Sequence, residues 1–407
     1  MIKEICAVAV LANKLCIIVL LFSLARLLGV ELYGVFSYHY VIITGIATVA
    51  GECLSVALSR YAVLHAEQVD YRTSLSLMAW GGLAVGALCV IVFLAFPVPG
   101  SPDEPHLGTL LVGAFVFGFA CVCNMTITGL MFSLAPSGKW LVALAAHGLL
   151  GLSLVVAVAI VAGRIEGVLL TLAFCTLIAP ACGVWMIKVS QFRRHDAGGR
   201  TFFSLRKMLA LLIDTGAPAV AGSMLLGAPV HMVCILVFAH SSANVSEVGY
   251  FNLFFLFYSC VTVLPSALAS YIIVRLAGRG HRASQLYLLF GVGIAVLLPL
   301  LLLLTQGYWL CLLGGSICGQ RDLLSYAVLA GGVGLAATVL IQILHSKNLT
   351  RIVVLGSGVY AVVYLSSTVL SSWKGDMLAI DLFRSFVWAM AAQVVVLGAL
   401  GGRKLMQ

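Results

Sequence analysis

Apolar runs of about 20 residues or more follow one another along the chain, and they constrain the fold more than any other feature. A helical run of this length crosses the hydrocarbon core of a bilayer. Because lipid cannot satisfy exposed backbone polar groups, such runs must form a bundle of membrane-spanning helices. Composition agrees, since 62% of the 407 residues are hydrophobic and only 9% are charged. We therefore expect an all-α integral membrane protein without a separate soluble domain, and an outer-membrane barrel is excluded.

The breaks between the runs predict about twelve transmembrane helices, six on each side of a polar stretch. The predicted spans are residues 5–28, 34–59, 75–98, 107–134, 139–162, 166–188, 208–239, 246–274, 284–305, 322–345, 351–372 and 377–400. The first run could be a signal peptide, but Asn13-Lys14 interrupts it and it is too long, so we predict a retained helix. We expect an N-terminal lobe at residues 1–190, a cytoplasmic linker at 191–207 and a C-terminal lobe at 208–407.

The distribution of Lys and Arg predicts that both termini are cytoplasmic. With the N-terminus inside, seventeen of the 23 basic residues fall in cytoplasmic segments. These seventeen are Lys3, Arg60, Arg72, Lys139, Lys188, Arg193, Arg194, Arg200, Arg206, Lys207, Arg275, Arg279, Arg282, Lys347, Arg351, Arg403 and Lys404. The formal net charge of +9 is therefore explained by membrane orientation, and we expect no nucleic-acid partner.

A shift of 215 residues aligns the second predicted span with the eighth. Gly34-Val35-Phe36 falls on Gly249-Tyr250-Phe251, and Arg60 falls on Arg275. Because each half holds an even number of spans, the halves have the same orientation, which defines a parallel repeat about an axis along the membrane normal. Chance alignment of two amphiphilic spans is the alternative. Two six-helix lobes of this kind are typical of alternating-access transporters, whereas the sequence shows no filter motif of a channel.

Two segments of the sequence resemble a known family. Residues 25–37, ARLLGVELYGVFS, followed by a span that ends at Ser59-Arg60-Tyr61, resemble the opening of bacterial polysaccharide transporters. The second half repeats the pattern with Leu212 to Pro218, then Val248-Gly249-Tyr250-Phe251, then Leu264-Pro265 and Arg275. These transporters are the O-antigen and oligosaccharide flippases of the multidrug/oligosaccharidyl-lipid/polysaccharide (MOP) exporter superfamily. The close similarity covers residues 10–61 and 205–275.

The resemblance implies a twelve-helix, two-lobed protein of the bacterial inner membrane. Such proteins move a polyprenyl-pyrophosphate-linked oligosaccharide from the cytoplasmic to the periplasmic leaflet, so the implied partners are that lipid-linked oligosaccharide, membrane lipid and glycan polymerase machinery. A sugar headgroup with a diphosphate cannot cross hydrocarbon unaided. The sequence has no phosphate-binding loop that ends in Lys-Ser or Lys-Thr, so we expect no cofactor, with transport coupled to a proton, sodium or substrate gradient.

Charged residues inside spans are costly in lipid, so each is a candidate for the transport site. Lys14 and Glu52 reach the same depth and either pair structurally or handle substrate or protons. Asp214 lies near the linker arginines and is more simply their partner. Arg26 either steers an anionic headgroup or anchors its helix at the outer interface. Arg384 either pairs with Asp381 along its own helix or snorkels outward.

Arg60 and Arg275 are the sharpest candidates because the repeat places them at equivalent cytoplasmic helix ends. There they either bind a pyrophosphate or serve as ordinary positive-inside anchors. The sequence also leaves open whether Cys311 and Cys318, which lie in one outer segment, form a disulfide.

Two other functions deserve comparison with a flippase. An ion-coupled multidrug or cation antiporter of the same superfamily would share the two lobes, but its cargo favours carboxylates and aromatic residues over Lys and Arg. A membrane-embedded glycosyltransferase or polymerase would need large outer loops or an acidic catalytic pair, and the loops here are short. We therefore expect a transporter that is not an enzyme.

Overall fold

The computed structural model is almost entirely helical. It describes residues 2–64, 71–97, 107–133, 138–162, 164–194, 227–242, 244–267, 272–273, 276, 281–313, 317–347 and 349–405. Twelve helices lie in these ranges: α1 (Ile2–Leu64), α2 (Tyr71–Ala95), α3 (Leu107–Ser133), α4 (Gly138–Ala162), α5 (Ile165–Arg194), α6 (Ala228–Ser241), α7 (Val245–Ala267), α8 (His281–Leu304), α9 (Gln306–Leu313), α10 (Arg321–Ser346), α11 (Thr350–Ser372) and α12 (Ala379–Leu405).

The helices account for the predicted number of membrane spans. Within the described ranges, nine helices are long and apolar enough to cross a membrane. One of them, Leu11–Ser59, is 49 residues long and holds two predicted spans, since at 1.5 Å per residue it exceeds twice the hydrocarbon thickness of about 30 Å. Two shorter apolar helices, His147–Val161 and Ala228–Ser241, occupy the positions of the fifth and seventh spans. The all-α, twelve-span architecture is thus confirmed.

A single residue separates the first two spans. Gly29 has φ 74° and ψ 167°, and α1 is helical on both sides of it. The left-handed φ favours glycine because it has no Cβ. The sequence predicts a break over residues 29–33, but only Gly29 leaves the helix, because Val30 to Tyr33 contain no helix breaker and form the first turn of the second arm.

The chain divides into two compact units. The first unit contains Met1–Ala9, His39–Pro97 and Pro102–Met232. Within it α3 packs against both α2 and α5, and α4 packs against α5. Glycines permit these close approaches in lipid: a Cβ on Gly86 would lie 2.7 Å from the Phe115 carbonyl oxygen, and one on Gly51 would lie 2.6 Å from the Met125 sulfur.

The second unit contains Val10–Tyr38, Val98–Ser101 and Val233–Gln407. Helix α10 is central here and packs against α7, α8 and α12, while α11 packs against α12. The predicted lobe division at 191–207 stays a prediction, because residues 195–226 lie outside the described part of the chain.

Helices α7, α8 and α10 are joined by one buried side chain. Gln342 is 1% exposed, and its Nε2 donates to the Pro265 carbonyl oxygen at 2.8 Å. Its Oε1 accepts a hydrogen bond from the Tyr287 hydroxyl. The Pro265 carbonyl lies in the last turn of α7, where helix carbonyls have no partner within the helix, so the bond from Gln342 satisfies a group that lipid could not satisfy.

Candidate functional site

The second arm of α1 and the start of α7 meet at a tight contact, which we call the glycine crossing. It is formed by Val30, Gly34 and Ser37 of α1 together with Val245, Gly249 and Asn252 of α7. A Cβ on Gly34 would overlap the Val245 carbonyl oxygen, and would lie 3.1 Å from the Gly249 nitrogen. Only glycine permits backbones to approach this closely.

The glycine crossing is reciprocal. A Cβ on Gly249 would overlap the Val30 carbonyl oxygen, just as one on Gly34 would overlap that of Val245. Gly34 and Gly249 are 215 residues apart, and so are Val30 and Val245. In a two-fold symmetric contact, when one residue touches a second, the equivalent of the first touches the equivalent of the second. Here Gly34 meets Val245, and the equivalent of Gly34, Gly249, meets the equivalent of Val245, Val30. The reciprocal contact agrees with the repeat inferred from the sequence, and it shows that equivalent positions of the second and eighth spans meet.

A hydrogen bond lies beside the two glycines, also between equivalent positions. The Asn252 side-chain amide donates to the Ser37 hydroxyl at 3.1 Å, and these residues are again 215 apart. The Ser37 hydroxyl in turn donates to the Gly34 carbonyl oxygen at 3.2 Å. Both side chains are buried, at 3% and 5% exposure, so the bond is shielded from water. The two equivalent positions carry different side chains, a hydroxyl at Ser37 and an amide at Asn252, so one side chain can donate a hydrogen bond to the other.

Aromatic rings join α7 to α12, beginning at the crossing and continuing along α7. The Phe251 ring packs on the Phe383 ring of α12, with centroids 4.5 Å apart. Phe255 and Tyr258, further along α7, both pack on Phe386 at 5.4 and 5.0 Å. Such pairs add stability beyond the area they bury, so α7 and α12 are firmly joined along their facing sides.

Two hydrogen bonds join the end of α6 and the first turn of α7 to the start of α12 and the turn before it. The Glu247 carboxylate accepts a hydrogen bond from the Ala379 backbone N–H at 2.7 Å, and so caps the first turn of α12. The Met377 N–H donates to the Ser241 carbonyl oxygen at 2.9 Å. A carboxylate at a helix N-terminus is favoured by the helix dipole. The beginnings of α7 and α12 are thus connected at this end of the second unit.

The residues predicted from charge are placed only in part. Lys14 is partly buried in the first arm of α1, and Glu52 is partly buried in its second arm. Lys14 belongs to the second unit and Glu52 to the first, and their pairing stays a prediction. Arg26 is exposed, three residues before the Gly29 kink.

The remaining predicted residues lie where the structure gives no side chain. The α1 backbone is helical at Arg60, but its side chain is outside the described set. Asp214 and Arg275 fall wholly outside the described residues. The roles predicted for these three therefore stay predictions.

One charged pair predicted from the sequence is confirmed. The Arg384 Nη1 lies 3.5 Å from the Asp381 Oδ1. Its Nε also donates to the Tyr326 hydroxyl at 3.3 Å, and the guanidinium carbon lies 5.6 Å from the centre of the Tyr326 ring. Sequence reasoning missed Tyr326, because it belongs to a different helix and no spacing rule links it to Arg384.

These features define a class of protein. The chain is a multi-pass, all-helical membrane protein in which equivalent positions of two spans meet. Residues 5–276, well over half of the chain, match the family model described as "Polysaccharide biosynthesis protein". The chain belongs to that family. No curated protein sequence matches it.

Solved structures of MOP superfamily transporters share the fold. An inward-facing multidrug resistance MATE family transporter matches with a TM-score of 0.72 and 12% identity, covering 98% of both chains. The lipid II flippase MurJ in an inward closed conformation matches with a TM-score of 0.72 and 11% identity, covering 98% of this chain and 87% of that one. A MOP superfamily transporter from Pyrococcus furiosus matches with a TM-score of 0.64 and 13% identity, covering 100% and 95%. At these identities the likeness shows the fold.

Proposed function

We propose that the protein flips a polyprenyl-pyrophosphate-linked oligosaccharide, such as an O-antigen repeat unit, from the cytoplasmic to the periplasmic leaflet. The observation that carries this proposal is the match of residues 5–276 to the polysaccharide biosynthesis family, in a chain whose fold is that of MOP transporters. The proposed location is the bacterial inner membrane, with both termini in the cytoplasm, as the distribution of Lys and Arg supports.

The chemistry of this cargo explains why a protein is needed. The polyprenyl tail is stable in the bilayer, whereas the sugars and the diphosphate lose their hydration if they enter hydrocarbon. Transport therefore requires a polar path for the headgroup alone. Lys14, partly buried in a membrane span, is a cation suited to such a path. We propose that it contacts the diphosphate during transport.

In the proposed transport cycle the glycine crossing is a contact that forms in one state and opens in another. In the proposed orientation Gly34 and Gly249 lie near the periplasmic ends of the second and eighth spans, so the described contact joins these ends. Alternating access requires that ends joined in one state part in another. A contact made of glycine backbones and one hydrogen bond can part at modest cost, because it contains no ion pair and no large interlocked side chain.

The cytoplasmic ends of the same two spans carry the proposed capture residues. Arg60 and Arg275 occupy equivalent repeat positions. A guanidinium binds phosphate oxygens in bidentate fashion, and a lysine cannot reproduce that geometry. We propose that these arginines receive the pyrophosphate as the lipid-linked substrate enters from the cytoplasmic leaflet.

The alternative is an ion-coupled multidrug or cation antiporter, favoured by the likeness to the MATE transporter. The family match favours the flippase, and a deletion strain separates the two. If the chain is a flippase, its loss stops delivery of long surface glycan while lipid-linked repeat units accumulate on the cytoplasmic leaflet. Normal surface glycan in a strain without a redundant transporter, combined with increased sensitivity to cationic drugs, would favour the antiporter.

A further inference from the structure

Two thiols lie together in the segment that joins α8 to α10. Cys311 is in the short helix α9, and Cys318 lies in the turn just before α10. Their sulfur atoms are 3.7 Å apart, with the Cys318 thiol donating to the Cys311 sulfur. Cys311 is exposed and Cys318 is partly buried. The hydrogen bond to Cys311 raises the pKa of the Cys318 thiol.

The position of the pair is set by buried neighbours. Leu310, adjacent to Cys311, is 1% exposed, and Ile317, adjacent to Cys318, is 2% exposed. The Gln320 N–H donates to the Ile317 carbonyl oxygen at 3.0 Å, which closes the turn into α10. Because each cysteine follows a residue anchored in the core, the two sulfurs are held near one another by packing on both sides.

These two cysteines differ from the rest of the described set. Cys89, Cys123, Cys175 and Cys234 are buried in apolar helices, where a thiol behaves as a small hydrophobic group. Among the cysteines whose side chains the structure describes, Cys311 and Cys318 are the two that lie outside the candidate spans and the shorter apolar helices. The burial in an apolar span that explains the other thiols therefore does not apply to this pair.

We propose that Cys311 and Cys318 are a modification site at which the chain acquires an intramolecular disulfide by exchange with a disulfide donor. The exposed Cys311, as thiolate, attacks one sulfur of the donor and forms a mixed disulfide while the other donor sulfur leaves as a thiolate. The Cys318 thiolate then attacks the Cys311 sulfur and releases the second donor sulfur. The chain loses two electrons and two protons, and the donor gains both and becomes a dithiol or two thiols.

The disulfide would close a loop of eight residues from Cys311 to Cys318 and attach α9 covalently to the start of α10. In the orientation proposed above this loop faces the periplasm, where disulfides form and persist. The compartment in which the bond forms rests on the proposed function, whereas the ability of the two thiols to form it does not.

The test uses the purified full-length protein with oxidised glutathione as donor, followed by N-ethylmaleimide to block free thiols. Trypsin cleaves at Arg282 and Arg321, so one peptide carries both cysteines and no others. We expect this peptide to lose two hydrogens and carry no maleimide after oxidation, and to carry two maleimides after reduction. In Cys311→Ser we expect Cys318 to remain a free or glutathionylated thiol, whereas Cys182→Ser, a change within α5, should leave the bridge intact.

Two maleimides on the oxidised wild-type peptide, or one glutathione with one maleimide, would overturn the proposal. The same peptide from cells quenched in acid tests the compartment separately. A bridge in cells supports the periplasmic position of the loop. A bridge that forms in the purified protein but is reduced in cells would reject the proposed orientation and leave the modification site standing.

Discussion

Adding one methyl group to the glycine crossing should shift the protein towards the proposed state in which α1 and α7 have parted. In Gly249→Ala the new Cβ overlaps the Val30 carbonyl oxygen and lies 3.0 Å from the Val30 Cγ1, so the two helices must separate at this point. The overlapping atoms belong to the Val30 backbone carbonyl, so a rotamer change cannot relieve the contact. Gly34→Ala should act in the same way against Val245, because the contact is reciprocal.

The magnitude follows from the cost of overpacking. Forcing an extra methyl group into a packed contact costs about 1–3 kcal/mol. Since about 1.4 kcal/mol is a factor of ten, the ratio of parted to joined molecules should rise by roughly 5- to 150-fold. The matched control is Gly293→Ala in α8, where a Cβ would meet no atom within 4 Å. There the substitution should only improve helix propensity, by up to about 1 kcal/mol.

The assay measures exposure of the crossing with Ser37→Cys as the reporter in each background. Trypsin releases residues 27–60 as one peptide, in which Cys53 provides an internal reference for the rate of maleimide labelling. Ser37 is 3% exposed, so the reporter should label slowly unless the helices part. We expect faster labelling in Gly249→Ala and in Gly34→Ala than in Gly293→Ala. Equal rates in all three backgrounds would refute the idea that the glycine contact holds the helices together.

Three further predictions address capture, orientation and stability. Arg60→Lys and Arg275→Lys should each reduce glycan export while the amount of the protein in the membrane stays unchanged, and the double variant should lose more. Full export from the double variant would leave the two arginines with only an anchoring role. Reporter fusions at Asp103 and Arg200 should report periplasm and cytoplasm respectively, and the reverse result would reject the orientation. Gln342→Leu should lower the free energy of unfolding by about 1–3 kcal/mol, because it leaves the Pro265 carbonyl and the Tyr287 hydroxyl without their partner. The melting temperature in detergent should therefore fall. An unchanged melting temperature would show that water replaces the amide.

The spans could be predicted from the sequence because the bilayer fixes their length. For example, the prediction of residues 351–372 agrees with α11 to within one residue. Prediction was less successful between spans, where length gives no guide. Residues 30–33 are helical although we expected a break, and α9 lies where the sequence predicts only a loop.

The candidate site could be predicted in outline only. Aligning Gly34 with Gly249 reveals that the two positions are equivalent, but equivalence does not imply contact, and only the structure shows that they meet. A search for charged residues in spans finds groups that are expensive in lipid. The crossing is formed by glycines and by the uncharged Ser37 and Asn252, which cost little free energy to bury once they are hydrogen-bonded. A search for charged residues therefore does not find them.

The bond from Glu247 to the start of α12 has a consequence for how motion spreads through the second unit. Because Glu247 in the first turn of α7 accepts a hydrogen bond from the first residue of α12, and Phe251 packs on Phe383, we expect the beginnings of these two helices to move together. A displacement that begins at Gly249 should therefore carry the beginning of α12 with it. Spin labels at Ser242 and Lys374, on the two fastened turns, should accordingly keep a constant separation in every transport state, even while each moves relative to Val30.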